Sequence, residues 1–264
     1  YNLFVKYELE PLIFNFKSLD YFNQSKMINC HLKFNTGMNR FGFETNQKEK
    51  IIKYLNQNKN INVKTICSHL SDSTNESFTK NQINSFDFVC DYFIKNYHSK
   101  IERHLFNSNA TINYKNKYEL VRIGIGLFGV TNIKGLHQIT TMTSVVSQIK
   151  IIDEGDFVGY GMNYCSKESI KIGIIPFGYA DGIYEKKNSD KYYVFIKNKK
   201  YKVIGDISMD SLAVNLENSK VEVGDKVILF DSNYTIKEIA ESCNTSEYEI
   251  LSKLNRRIKR EYYS

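Results

Sequence analysis

Residues 27–43 read MINCHLKFNTGMNRFGF. An apolar run ends at Asn35, and Thr36, Gly37 and Met38 open a loop that carries Arg40. Side chains alternate along a strand, so His31, Lys33 and Asn35 share one face. Outward from there, residues 47–56 place Ile51, Ile52 and Leu55 at helical spacing, and NVKTICSH at 62–69 returns to a strand. Phe86, Val89, Cys90, Phe93 and Tyr97 then form the apolar stripe of a longer helix. KIERHLF at 100–106 and YELVRIGIGLFG at 118–129 read as further strands, with one more near 10–14. Continuous apolar strands alternating with helices imply parallel βα units, about four or five strands in all. Polar side chains on an inward barrel face, with a cation just past the strand's C-terminal end, are where barrel enzymes hold their sites.

The texture changes after Gly135. TTMTSVVSQIKII (140–152), SIKIGIIPFG (169–178), KYYVFIK (191–197), KYKVIGDISMDSLAVNL (200–216) and DKVILFD (225–231) read as strands separated by the turns EGD, KNKK and VGDK. No long helix falls among them, which predicts an antiparallel β domain. Thr235 with Glu238, and Ser246 with Glu249, have capping-box spacing, so two short helices close the chain. The expected division is residues 1–135, an α/β unit, and residues 136–264, an all-β unit with terminal helices.

Composition narrows the functional classes. With 42% hydrophobic and 25% charged residues, the 264-residue chain is globular rather than disordered. Its net charge of +7 is spread along the sequence. The local basic runs at 197–202 and 256–260 read as solvated turns or helix ends, so nucleic acid is not an expected partner. Five cysteines without CxxC spacing argue against a disulfide framework or zinc site and fit a reducing cytosol, and no other metal site is expected. No apolar run of about 18 residues is present to span a membrane.

Several residues carry chemistry if their neighbours cooperate. On spacing alone Lys33 and Arg40 are equally readable as unrelated surface cations. His69 follows an apolar run, where a structural histidine is the ordinary reading. Asn107 and Ser108 follow the 100–106 strand, and Arg122, Gly124 and Ile125 lie on the next segment; small residues there let backbone N–H groups approach an anion. In barrels with a phosphate site the last two strand-to-helix loops commonly form it, so these positions suit a phosphate-bearing cofactor.

The order of motifs resembles the alanine racemase family. HLKFNTGMNRFG is similar to that family's HLK-x-D-T-G-M-x-R-x-G signature, and VRIGIGLFG to its R-x-G-I-x-x-Y-G segment. GDFVGYG (155–161), IPFGYADG (175–182), IGDISMD (204–210) and SEYEIL (246–251) follow in the family's order, over nearly the whole chain. The resemblance implies a (β/α)8 TIM barrel, here its C-terminal part, followed by an antiparallel β domain. It implies pyridoxal 5′-phosphate as cofactor, alanine as substrate, a cytoplasmic homodimer whose active site is shared between subunits, and D-alanine supply for peptidoglycan. Tyr160 falls on the family's tyrosine base. Arg40 falls on the arginine that binds the substrate carboxylate, and Met209 on the residue whose backbone N–H contacts it, with Asp210 next to it. Lys33 falls on the lysine that many members carbamylate. Arg122 falls on the arginine facing the pyridine nitrogen, and His69 on the histidine supporting it. Ser108, Gly124, Ile125 and Tyr248 fall on phosphate contacts, with Asn107 beside them, and Tyr179 on a tyrosine at the site entrance.

Departures from the family pattern are Asn35 for aspartate, Asn39 for a small residue, Phe128 for tyrosine, Ser208 for cysteine and Lys259 for proline. The family's cofactor-anchoring lysine lies in a V-K-A-N-A-Y-G-H-G segment with no match in this sequence. The expectation is therefore a chain lacking roughly the family's first quarter, inactive by itself because it lacks the second acid–base group, and with open sheet edges. The rival expectations are a serine or broad-specificity racemase, and a non-catalytic descendant.

Overall fold

The structure is a computed structural model that describes residues 1–97, 100–130, 135–182 and 192–263. The chain falls into two compact units, Tyr1–Gly126 and Leu127–Ser264.

The first unit runs α1 (Asn2–Lys6), β1 (Leu12–Ile13), α2 (Phe16–Phe22), β2 (Ile28–Asn35), β3 (Phe43–Glu44), α3 (Lys48–Gln57), β4 (Ile61–Cys67), α4 (Glu76–Asn96), β5 (Glu102–His104) and α5 (Ser108–Asn113). Its sheet has the order β1–β2–β4–β5, with β3 also on β2, and every pairing is parallel. The α/β reading of this half holds, and the unit has the TIM-barrel-like sheet that the resemblance implied. Cys30, Leu32 and Phe34 turn inward from β2, while His31, Lys33 and Asn35 are half-buried on its other face. Phe34 meets Phe43 and Phe93 at ring-centroid distances of 5.9 and 5.6 Å. The stripe Phe86, Val89, Cys90 and Phe93 is fully buried. Helix α4 begins earlier than that stripe, because the Asn75 side chain accepts the Phe78 N–H at 3.1 Å and caps it.

One irregularity reorders β4. Cys30 pairs with Val63 but His31 pairs with Thr65, which leaves Lys64 as the extra residue of a bulge. Ile61 and Val63 therefore share the helix-packed core with Ile66, an odd step away, while Thr65 turns to the face of His31.

The expected strand at 118–129 does not form. Only the N–H groups of Leu120 and Arg122 reach the preceding segment, donating to the carbonyls of Arg103 (3.2 Å) and Phe106 (2.9 Å). The next amides that a ladder would use, those of Gly124 and Gly126, donate instead to Ser108 Oγ at 3.0 and 3.2 Å, and the chain bends into a short 3-10 turn, Ile125–Phe128.

The second unit holds β6 (Met142–Val145), β7 (Gln148–Ile152), β8 (Ile170–Ile175), β9 (Tyr193–Ile196), β10 (Lys199–Ile204), β11 (Leu212–Asn215), β12 (Lys226–Phe230), α6 (Ile236–Ser242) and α7 (Glu247–Lys253). The strands form one antiparallel sheet in the order β6–β12–β9–β10–β11–β8–β7. The single strand expected at 140–152 is two, because Val146 N–H bonds Asp225 while Ser147 N–H bonds Ile174, so the chain changes partner strand there. Lys191, the first residue of the strand expected at 191–197, lies outside the described residues. Thr235 and Glu238 make a full capping box. Ser246 caps in one direction only, since the Glu249 carboxylate is taken by Thr245 and by Lys253.

Asn35 builds the loop that holds Arg40. Its Oδ1 accepts the N–H groups of Gly37 (3.1 Å) and Asn39 (2.9 Å), and its Nδ2 donates to Asn39 Oδ1 (2.9 Å) and Glu44 Oε1 (3.0 Å). An aspartate keeps the two acceptor roles but has no proton for Glu44. The variant Asn35→Asp is expected to lose about 1 kcal/mol at pH 7 in chemical denaturation. Adding Glu44→Gln, which supplies the missing donor from the other side, should recover most of that loss; an equal loss in the double variant would count against the Glu44 bond.

Candidate functional site

In the first unit the candidate residues gather around Arg122. Its Nη2 donates to the carbonyls of Ser68 (2.5 Å) and Leu105 (3.4 Å) and to His69 Nδ1 (3.1 Å). Its Nη1 donates to the His104 carbonyl (3.2 Å) and to His104 Nδ1. Arginine only donates, so both histidines present an unprotonated Nδ1 to it. Burial and then the Arg122 charge lower each of them to about 4, with Lys33 and Arg40 adding to the effect on His69 and His31 to that on His104. Both rings are thus neutral at pH 7. No carboxylate pairs with Arg122 among the described residues.

Lys33 lies on the same face of β2 as His31 and Asn35. Burial lowers its ammonium from the ordinary value; Cys67 opposes this, while Arg40 and Arg122 reinforce it. Arg40 itself is exposed in the loop between β2 and β3.

Ser108 is 2% exposed, and its Oγ gathers the Gly124 and Gly126 amides, while Asn107 caps α5 by accepting the Ala110 N–H at 3.0 Å. A Cβ added at Gly124 would meet nothing within 4 Å, so open space lies beside that amide. Ile125 follows, buried, at the start of the 3-10 turn.

In the second unit three motifs lie together. Tyr160 heads a turn between Gly159 (φ 77°) and Gly161 (φ 69°) and is 73% exposed. That turn rests on Asp206: Asn163 Nδ2 donates to its carboxylate at 2.6 Å, and a Cβ at Gly205 would come within 2.5 Å of the Val158 carbonyl. The Tyr179 and Ala180 N–H groups donate to the carbonyls of Ser208 (3.1 Å) and Met209 (3.0 Å), and a Cβ at Gly178 would fall 2.3 Å from the Ser208 oxygen. The two segments approach that closely only because residue 178 has no side chain. Tyr248 stands half-exposed on α7, its phenol raised by burial and then by Glu247.

Two residues central to this arrangement were not singled out from the sequence. Arg257, which the sequence offers only as part of a basic run, donates from Nε to Asp181 Oδ1 and from Nη2 to Asp210 Oδ1, each at 2.7 Å. The second Asp181 oxygen accepts the Gly178 N–H at 2.8 Å. The third omission is His104 in the first unit. Its place on the strand just before Asn107–Ser108 was the signal that could have drawn attention to it.

Known proteins with similar sequences agree on one family. The family model described as "Alanine racemase, N-terminal domain" matches residues 1–132, and that described as "Alanine racemase, C-terminal domain" matches residues 139–262. An alanine racemase of Borreliella burgdorferi is 33% identical over 98% of this chain and 73% of its own length. One from Fusobacterium nucleatum is 35% identical over 88% of this chain and 67% of its own. Among solved structures, alanine racemase from Bartonella henselae with covalently bound pyridoxal phosphate superposes with a TM-score of 0.89, at 25% identity, over 99% of this chain and 75% of that one. With both halves matched and a third of residues shared across nearly its full length, the chain belongs to the alanine racemase family of isomerases.

Proposed function

We propose that this protein interconverts L- and D-alanine with pyridoxal 5′-phosphate, as a cytoplasmic homodimer supplying D-alanine for peptidoglycan. The observation that carries the cofactor reading is Arg122: a charged guanidinium held by two neutral histidines and three carbonyls, with no carboxylate among the described residues. The nearby donors fit a phosphate-bearing heterocycle. Ser108 Oγ has both lone pairs engaged by amides and keeps its own proton to donate, and the space beside Gly124 is open. Ser108, Gly124 and Ile125 would hold the phosphate, with Asn107 alongside and His69 by the ring.

When bound, the cofactor supplies a ring that draws electrons from the Cα–H bond of an amino acid. Arg122 would hold the ring nitrogen by an N–H that it cannot surrender, because the guanidinium stays protonated. Arg122 thereby keeps that withdrawal modest and favours return of a proton to Cα. Arg40 would bind the substrate carboxylate through its planar donors. Lys33 has a lowered ammonium, and a neutral amine is the form that adds to carbon dioxide, losing a proton to give a carbamate; that anion would stand among the Arg40 and Arg122 charges and steady Arg40. Tyr160 would remove or return the Cα proton at its phenolic oxygen in the partner subunit's site. Its exposure at the tip of a glycine-flanked turn supports that reading. Tyr179 and Asp210 would line the approach. No helix of the described residues is long and apolar enough to cross a membrane.

Full-length Tyr160→Phe is expected to exchange the Cα proton of L-alanine about 100-fold more slowly or worse, with cofactor retention close to wild type. Equal loss of both would make Tyr160 a structural residue. L-alanine and L-serine offered separately to the wild type, with product chirality measured, separate the alanine reading from a serine-preferring one. The histidines also predict an acid limit. Since His69 and His104 sit at about 4 when folded against 6.5 ordinarily, the unfolded chain binds more protons between those values. Their contribution is complete above about pH 6.5 and is lost as pH falls toward 4, and His69→Gln should flatten that slope in pH-dependent denaturation.

A further inference from the structure

One row of side chains crosses the parallel sheet on the face of Lys33. His104 on β5 receives Arg122 at Nδ1. His104 Nε2 lies 3.0 Å from Thr65 Oγ1 on β4, which lies 2.7 Å from His31 Nδ1 on β2. His31 Nε2 lies 3.0 Å from Glu10 Oε2, two residues ahead of β1. Strands β2, β4 and β5 contribute one member each and the segment before β1 the fourth, and the Lys64 bulge is what turns Thr65 to this face.

Donor and acceptor chemistry gives the row a direction. Because Arg122 can only donate, His104 Nδ1 must accept, and the neutral ring then carries its proton on Nε2. That proton goes to Thr65 Oγ1. The threonine hydroxyl, having accepted, points its own proton at His31 Nδ1. His31 in turn carries its proton on Nε2 and donates it to the Glu10 carboxylate, which accepts and has nothing to donate. Arg122 at one end and Glu10 at the other are the two groups whose roles cannot reverse, and both orient the row the same way. His104 and His31 do not bond each other; their rings stand edge-on with centroids 6.3 Å apart, and among the described residues the 2%-exposed Thr65 is what bridges them.

We propose that Glu10, His31 and Thr65 are positioning residues that fix the Nε2–H tautomer of His104 and through it hold the Arg122 guanidinium in place. This deepens the reading above, since it rests on Arg122 being the group that meets the cofactor ring. A hydroxyl at 65 is essential to it, and a charge at 10 matters less than an acceptor there.

The test uses the full-length protein with 15N-labelled histidine, the His104 signals being assigned with His104→Gln. Wild type at pH 7 is expected to show His104 as the Nε2–H tautomer; protonation on Nδ1 or on both nitrogens would overturn the proposal. Thr65→Val removes the bridge and should mix the two tautomers, and Thr65→Ser should restore the single one. On turnover with L-alanine, Thr65→Val should lower kcat roughly five- to tenfold with KM little changed, and Thr65→Ser should recover it. At the solvent end, Glu10→Gln keeps an acceptor and should behave as wild type, whereas Glu10→Leu should disturb the His104 shifts. Unchanged His104 tautomers in both Thr65→Val and Glu10→Leu, or equal losses in the valine and serine variants, would sink the proposal. The nitrogen shifts report on the row whether or not the protein racemises alanine, so a wild type without racemase activity would count against the reading above and leave this test intact.

Discussion

A guanidinium taken out of water must be hydrogen-bonded or it costs the fold dearly. Arg122 meets that requirement with three backbone carbonyls and two imidazole nitrogens, and with no neutralising carboxylate among the described residues. The consequences spread through the first unit. His69 and His104 must be neutral to accept from it, so their proton affinity is low. The segment carrying Arg122 cannot run on as a strand, because the amides beyond it are claimed by Ser108. The ends of β4 and β5 are fixed by the carbonyls they lend, those of Ser68, His104 and Leu105. A positive charge is thereby stored at a defined place.

The second unit solves a different problem, the close approach of three loops. Gly178 and Gly205 allow backbone to lie against backbone where any Cβ would collide. Arg257 then ties Asp181 and Asp210 with two bonds of 2.7 Å. Burial acts to raise the Asp181 carboxyl, but the Arg257 guanidinium and the Gly178 N–H outweigh it and hold that carboxyl below the ordinary range. The exposed Tyr160, Met209 and Tyr179 side chains stand on a base made rigid in this way.

Much of this was legible in the sequence, for identifiable reasons. The α4 stripe and the β2 alternation are periodic patterns, and periodicity survives translation into structure. The motif order announced the family because most of the motifs end in or consist of a turn whose residue types are constrained locally, SEYEIL on α7 being the exception. What could not be read is whatever depends on register between distant segments. Strict alternation from Val63 places Thr65 in the helix-packed core; a single unpaired Lys64 reverses that, and no local signal marks it. The strand expected through Arg122 failed because Ser108, 16 residues before Gly124, intercepts an amide that a ladder would need. Arg257 looked like one charge in a basic run because its two partners lie 76 and 47 residues earlier.

Those last separations bear on how the molecule is made. A ribosome delivers Asp181 and Asp210 well before the cation that joins them, so the nascent β unit carries both carboxylates without their counter-ion until translation has passed residue 257. A nascent chain stalled short of that point would have its strands in hand and its loops unlatched, with two negative charges close to one another. Fastening these loops therefore has to wait until all the strands of this unit have been made, and it is done by a side chain that follows α7.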